Sequence, residues 1–231
     1  MGFWDKNNTK KIEVPNPDGS DKKEFDGRVY DRNGEKYVSV TSVLNPEGIP
    51  EIPDYILNQF AARGSIVHAQ TEHFDEYGEI PNPKNLDGWK IKNSLQTLEN
   101  GSLDICYSEC DYKAFMETFG EAIEYEHIEA LIFNDEYKYG GRADRLGSWK
   151  GEKAIFDIKT SKNYPSERLQ EYFMQMSAYA APYKGIKRLV IIPLNPDKNR
   201  GFEPPIIRNE VEGYFEKFKD KLKSFHEIYK I

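Results

Sequence analysis

Asp157 and Lys159 stand two apart in the run Ala154-Ile155-Phe156-Asp157-Ile158-Lys159-Thr160. Extended chain sends alternate side chains to one face, so a carboxylate and an ammonium are expected to share a site while Ala154, Phe156 and Ile158 turn to a core. The preceding segment, Lys138 to Leu146, is expected to pair with this one as a hairpin through Gly147 to Gly151, which brings Asp144 near Asp157. Two carboxylates side by side repel unless a cation sits between them, and hard oxygen donors with room for water suit Mg²⁺ or Mn²⁺. A metal held there can take a phosphate oxygen and activate a water, with the lysine orienting the nucleophile or offsetting charge on phosphorus. Metal-assisted phosphodiester hydrolysis is the chemistry that suits this set. For an Asp-x-Lys taken alone, an ordinary salt bridge on a strand is the competing explanation.

Other residues could join them. Glu129 interrupts the apolar run Ile128 to Phe133. A carboxylate in such a run needs compensation, by a metal or a bound water, unless it lies on an exposed strand face. Beside Asp144 it would serve as a second-metal ligand or hold a water. His68 and Glu72 are four apart and share a helix face, either as a surface pair or with the imidazole turned to the acids. Gly64 and Ser65, small residues, would let the start of that helix approach closely. Gln175 and Tyr179 fall one turn apart on a later helix, bordering a cleft or forming its polar flank. Arg63, Arg142, Lys162 and Arg168, with Lys138, are the candidates for a basic groove, each also readable as a solvated surface charge.

Taken in order, Arg63-Gly64-Ser65 with His68, Glu129 in Ile-Glu-Ala-Leu-Ile, Gly141-Arg142-Ala143-Asp144, Phe156-Asp157-Ile158-Lys159-Thr160 and Gln175-Met176-Ser177-Ala178-Tyr179 resemble the active-site core of the PD-(D/E)XK nuclease superfamily. Ser39 to Leu44 adds an opening match. The branch most similar is that of the RecB-like exonucleases, which includes CRISPR adaptation nucleases and mitochondrial genome maintenance exonucleases, and the likeness runs over roughly residues 28 to 195. The resemblance implies that His68, Asp144, Asp157 and the carbonyl of Ile158 hold one or two Mg²⁺ or Mn²⁺ ions. It further implies that Lys159 is catalytic and that Gln175 and Tyr179 support the site or touch DNA. Action on single-stranded DNA or free ends is implied over cutting of an internal duplex site. Phage recombination, repair and plasmid maintenance all use such enzymes. Cys106 and Cys110 are the only cysteines, so no four-cysteine iron–sulfur or zinc site can be built from one chain, a departure from the iron–sulfur members of the group.

The elements that must carry these residues follow from periodicity. The 231 residues, 38% hydrophobic and 13% aromatic, suit one sizeable domain. Residues 1–26, rich in Pro, Gly and charge, are expected to be a flexible N-terminal arm, and 27–231 a single nuclease domain. Asn33-Gly34 marks a hairpin. A helix from Asp54 with Ile56, Leu57 and Phe60 inward is expected to give way, after Gly64, to a second helix capped by Ser65 and running to about Tyr77. One helix is expected near Trp89 to Leu98, in a stretch readable either as a flap over the substrate or as a surface excursion, and another over Tyr112 to Ile123. Strands are expected near 127–133, 138–146, 153–159 and 187–192, the last parallel to the third through a right-handed crossover. Between these two, Ser166 would cap a helix to about Tyr183. The final helix would start from a capping box of Asn209 and Glu212 and carry the stripe Val211, Phe215, Phe218, Leu222, Phe225 and Tyr229. The fold class expected is α/β, a central mixed sheet flanked by helices, which the resemblance implies is a restriction-endonuclease-like core.

A net charge of −7 is unfavourable for phosphate binding overall, though a metal site must concentrate acids and a local groove can be basic on an acidic protein. No apolar run approaches a membrane span, and Met1 to Asp18 lacks the basic-then-apolar plan of a secretion signal, so a cytoplasmic location and no membrane partner are expected. Three readings compete with the exonuclease: a structure-selective endonuclease of the same fold, an inactive nucleic-acid-binding module, and an acidic scaffold in which the acids form a salt-bridge network.

Overall fold

The computed structural model describes residues 23–46, 52–101, 108–161, 163–194 and 201–230. Along the chain, β1 (Lys23–Glu24), β2 (Val29–Arg32) and β3 (Glu35–Ser39) lead to the short α1 (Val40–Leu44). Three helices follow: α2 (Asp54–Tyr77), α3 (Trp89–Glu99) and α4 (Ser108–Phe119). The centre is β4 (Ile123–Asn134), β5 (Tyr139–Trp149) and β6 (Glu152–Lys159), then α5 (Ser166–Ala180) and β7 (Arg188–Pro193). The chain closes with β8 (Ile206–Arg208), α6 (Val211–Ile228) and β9 (Tyr229–Lys230).

β2 to β8 form one mixed seven-stranded sheet. Its tight turns are where the residues demand them: Asn33 and Gly34 both have positive φ between β2 and β3, and so do Lys150 and Gly151 between β5 and β6, which is the conformation two-residue hairpins need. β6 and β7 run parallel, joined through α5. β5 is the pivot. One edge pairs with β4 along its length, while the other is shared, by β3 at Tyr139 and Gly140 and by β6 from Arg145 to Trp149. Between those two partners the sheet forks beside Gly141 to Asp144.

Apolar side chains fill both faces. On one, Val38, Ile155, Leu189 and Ile191 pack with Phe173 and Met176 of α5 and with Phe218, Leu222 and Phe225 of α6. On the other, Ala154, Phe156, Ile158, Val190 and Ile192 meet Val67 of α2 and Tyr112 and Phe115 of α4. The period-two expectation for β6 is met, since Ile155 lies on the face opposite Phe156 and Ile158. α3 rests on α2 through Ile66, Ile91 and Leu98.

Several local expectations fail for identifiable reasons. Asp54 to Tyr77 is one continuous helix, with Gly64 inside it and Ser65 donating its hydroxyl back to the carbonyl of Ala61 rather than capping. Burial of Ala62, Ile66 and Val67 outweighs the roughly 1 kcal/mol that an interior glycine costs. A Cβ at Gly64 would meet nothing within 4 Å, so close approach is not its use, and Phe60 is exposed rather than inward. Ser166 is the first helical residue of α5, which follows Pro165 and ends at Ala180. The Asn209 capping box does not form, because Asn209 instead accepts from Arg188 and the cap position falls on Glu210. At the inner end of the segment expected to be an arm, β1 pairs with β9, and Phe25 is buried edge-on against Phe225 and Tyr229. The rest of that expectation, residues 1–22, lies outside the described residues, as does Cys106. β8 was not foreseen; three residues are too few for periodicity to register.

Candidate metal centre

At the fork beside Gly141 to Asp144, side chains from both layers and from three strands converge. Asp144 Oδ2 accepts the backbone N–H of Ile158 at 2.7 Å, which ties β5 to β6 where their ladder has ended and sets the Asp144 carboxylate between Asp157 and Lys159 along the chain. α2 contributes His68, whose Nδ1 lies 3.4 Å from Asp144 Oδ1 and 3.8 Å from Glu129 Oε1. Donor atoms of His68, Glu129 and Asp144 all lie within 4.8 Å of one another.

Glu129 reaches this point through an unusual backbone. Its φ is 53°, the left-handed region, and it is the one non-glycine residue with positive φ that lies inside a strand, among the described residues. The β4–β5 register is irregular nearby, shifting between Tyr125 and His127. An L-residue held in this conformation costs about 1 kcal/mol or more, and such strain in a strand re-aims a side chain. Here it sends the carboxylate inward, so the exposed-face alternative fails: the side chain is only 10% exposed, and Oε2 pairs with Arg142 Nε at 2.7 Å. The other oxygen, Oε1, is buried without a hydrogen-bond donor. Burial alone would raise the Glu129 pKa, but His68, Arg142 and Arg145 outweigh it and hold the carboxyl below its ordinary value. His68 goes the other way. Burial works against its charged form, yet Asp144 and Glu129 raise its pKa overall.

A buried, orphaned carboxylate oxygen beside a second carboxylate and an imidazole nitrogen is a donor set that fits a divalent cation with a preference for oxygen and nitrogen. Asp157 is not part of that three-donor group. Its Oδ2 lies 2.7 Å from Lys159 Nζ, in an ion pair lacking hydrogen-bond alignment, and the carboxyl is otherwise buried. Burial is the main reason its pKa is pushed up to about 6, against the pull of Lys159 and with the help of Asp144. Glu129 thus meets Asp144 and His68, while Asp157, next in the chain to the Ile158 N–H that Asp144 accepts, faces Lys159.

Lys159 is held on several sides. Besides Asp157, Gln175 Oε1 lies 3.5 Å from Nζ, and the ring of Tyr172 lies beneath the ammonium with its centroid at 4.3 Å. Desolvation would lower the Lys159 pKa, but the carboxylates of Asp157 and Asp144 raise it overall, so the group stays charged. Gln175 is oriented in turn by donating to the hydroxyl of Tyr179 at 3.0 Å. Tyr179 is buried against Gly141, where a Cβ would come within 2.4 Å of its ring.

The remaining candidates divide. Arg142 is at the site, partly exposed and joined to Glu129. Arg63 is buried within the α2 layer, with Nε and Nη2 lacking acceptors, so it is not a groove residue. Tyr179 is too buried to touch a substrate and supports Gln175 instead. Arg168 pairs with Glu171 at 3.1 Å near the start of α5, and Lys162 lies outside the described residues. Ile158 contributes its N–H to Asp144. Sequence reasoning missed Arg145, Asp75 and Tyr172. For Asp75 a signal existed: His68, Thr71 and Asp75 are spaced three and four apart, the pattern of one helix face.

No protein-family model matches the chain, and no curated protein sequence matches it. Among solved structures, it is similar to a phage-related exonuclease from Haemophilus somnus 129PT, with 16% identity, 81% of this chain and 91% of that chain covered, and a TM-score of 0.39. It is also similar to an alkaline exonuclease from Laribacter hongkongensis, with 14% identity, coverage of 72% and 92%, and a TM-score of 0.34.

Proposed function

We propose that the chain is a Mg²⁺- or Mn²⁺-dependent deoxyribonuclease acting in the cytoplasm as an exonuclease on single-stranded DNA or DNA ends, with 27–231 as its nuclease domain. The observation that carries this is the meeting of His68, Glu129 and Asp144 from α2, β4 and β5 beside a charged lysine. The ordered motifs that resemble the PD-(D/E)XK core support the choice of phosphodiester chemistry.

His68, Glu129 and Asp144 hold the cation, with the carbonyl of Ile158 and the carboxylate of Asp157 as further donors. A divalent cation in that position supplies Lewis acidity toward a phosphate oxygen and a nucleophilic water at neutral pH. Lys159, kept protonated by its acidic neighbours, offsets negative charge that builds on the phosphoryl group. Asp157 and the face of Tyr172 hold that ammonium in place, and Gln175 limits its swing. Arg142 meets a substrate phosphate and Arg168 extends the path, with Lys162, outside the described residues, as a further candidate for phosphate contact.

The test is release of nucleotides from labelled single-stranded DNA with Mn²⁺ or Mg²⁺ and with chelator. Wild type is expected to release them only with metal, and Lys159→Ala to lose roughly 10²-fold or more in kcat. Equal activity of Lys159→Ala removes the lysine from the mechanism. Cutting of covalently closed circles identifies an endonuclease, and DNA binding without consumption an inactive module.

A further inference from the structure

Behind the three donors lies a buried polar group that the proposed chemistry does not use. Arg145 follows Asp144 on β5 and is fully buried, yet its guanidinium has acceptors on three sides. Nε donates to Asp75 Oδ2 at 2.6 Å, Nη1 to the Asp144 carbonyl at 2.8 Å and Nη2 to Thr71 Oγ1 at 3.3 Å. Tyr112 of α4 donates its hydroxyl to Asp75 Oδ1 at 2.8 Å. The Asp75 side chain is 2% exposed, so the whole group is closed to water.

Such a pair is weak evidence for stability as such, since two apolar side chains of similar volume commonly do as well. What apolar packing lacks is direction. A planar guanidinium bonded along fixed axes sets both the distance of a neighbouring helix and its rotation. Thr71 and Asp75 lie one and two turns beyond His68 on α2, so whatever fixes their rotation fixes that of the imidazole. The same guanidinium touches the carbonyl of Asp144 and places Nη1 3.7 Å from Glu129 Oε1. It is therefore in contact with two of the donor residues and linked to the third through α2.

We propose that Arg145 and Asp75 are positioning residues, a buried strut between β5 and α2 that sets His68 against Glu129 and Asp144. The inference rests on the metal site proposed above. It assigns the strut to metal affinity rather than to the stability of the fold.

Calorimetric titration with MnCl₂ tests it, on wild type, Asp75→Asn, Tyr112→Phe and the apolar pair Asp75→Leu/Arg145→Met, each with its Tm. Asp75→Asn is expected to weaken Mn²⁺ binding about tenfold or more, the usual effect of removing a group that orients a ligand. Tyr112→Phe should move it less, in the same direction. The apolar pair should recover most of the Tm lost in Asp75→Asn without recovering Mn²⁺ affinity, while KM for an oligonucleotide at saturating Mn²⁺ stays within about twofold of wild type in Asp75→Asn. Wild-type Mn²⁺ affinity in folded Asp75→Asn, or in the folded apolar pair, overturns the proposal and leaves the nuclease reading intact. Absence of Mn²⁺ binding in wild type instead removes the metal site and the strut's role together.

Discussion

Lys159 shows how far neighbours govern a single group. Buried in an apolar wall it would lose its proton readily; between Asp157 and Asp144 it keeps it. The Tyr172 face at 4.3 Å contributes about 1–2 kcal/mol to a desolvated ammonium, so Tyr172→Leu is expected to lower kcat roughly tenfold while Tyr172→Phe stays near wild type. Steady-state rates on one oligonucleotide check both. Glu129 shows the backbone counterpart. With φ at 53°, Glu129→Gly is expected to be more stable than Glu129→Ala by about 1 kcal/mol in urea unfolding, while both lose Mn²⁺ affinity. Asp157 and Lys159 were legible as neighbours because strand periodicity is strictly two. That the Glu129 carboxylate would turn inward to His68 rather than lie on an exposed strand face was not, because a left-handed residue inside a strand breaks that very period.

Helices and strands here are placed by packing more than by their local signals. α2 runs through Gly64 because its buried face is continuous on both sides of that residue, and a cap at Ser65 would have interrupted it. Gly64→Ala is thus expected to raise the unfolding free energy by up to about 1 kcal/mol, since the new Cβ meets nothing within 4 Å. Gly141→Ala should do the opposite. Its Cβ would come within 2.4 Å of the Tyr179 ring, and the overpacking should cost about 1–3 kcal/mol and disturb Gln175. Unfolding midpoints of the two variants, measured together, distinguish a tolerated glycine from a required one. The β5–β6 hairpin and the parallel β7 were readable from turn chemistry and β-branched runs. The sharing of one β5 edge between β3 and β6, which opens the fork, depends on contacts some hundred residues apart in the chain.

For the molecule as a whole, charge burial makes stability depend on pH. Asp111 of α4 has its pKa pushed up to about 6 from 3.8, by burial against the weaker pull of Arg63. The folded state then keeps this proton at pH values where the unfolded chain has released it. Stability from this group is complete below about pH 4 and is lost as pH rises through about 6. Asp111→Asn should therefore gain on wild type between pH 4.5 and 6.5, read as the difference in urea midpoints across that window. At the other end of the fold, Phe25 closes the core against Phe225 and Tyr229, and Phe25→Ala is expected to cost about 3 kcal/mol despite its place next to a segment that looks polar and loose in sequence. None of the helices among the described residues is long and apolar enough to cross a membrane.

Periodicity and turn residues alone specify the layered α/β order, the faces of β6 and the closeness of Asp144 to Asp157, since each depends on residues within a few turns or one hairpin of each other. Which donors meet is a different matter. The partnership of His68 with Glu129 and Asp144, the burial of Arg63 and the strut from Arg145 to Asp75 all depend on how α2 is rotated against β5. That rotation is set by packing and directed hydrogen bonds between segments some seventy residues apart, for which local sequence carries no period to read.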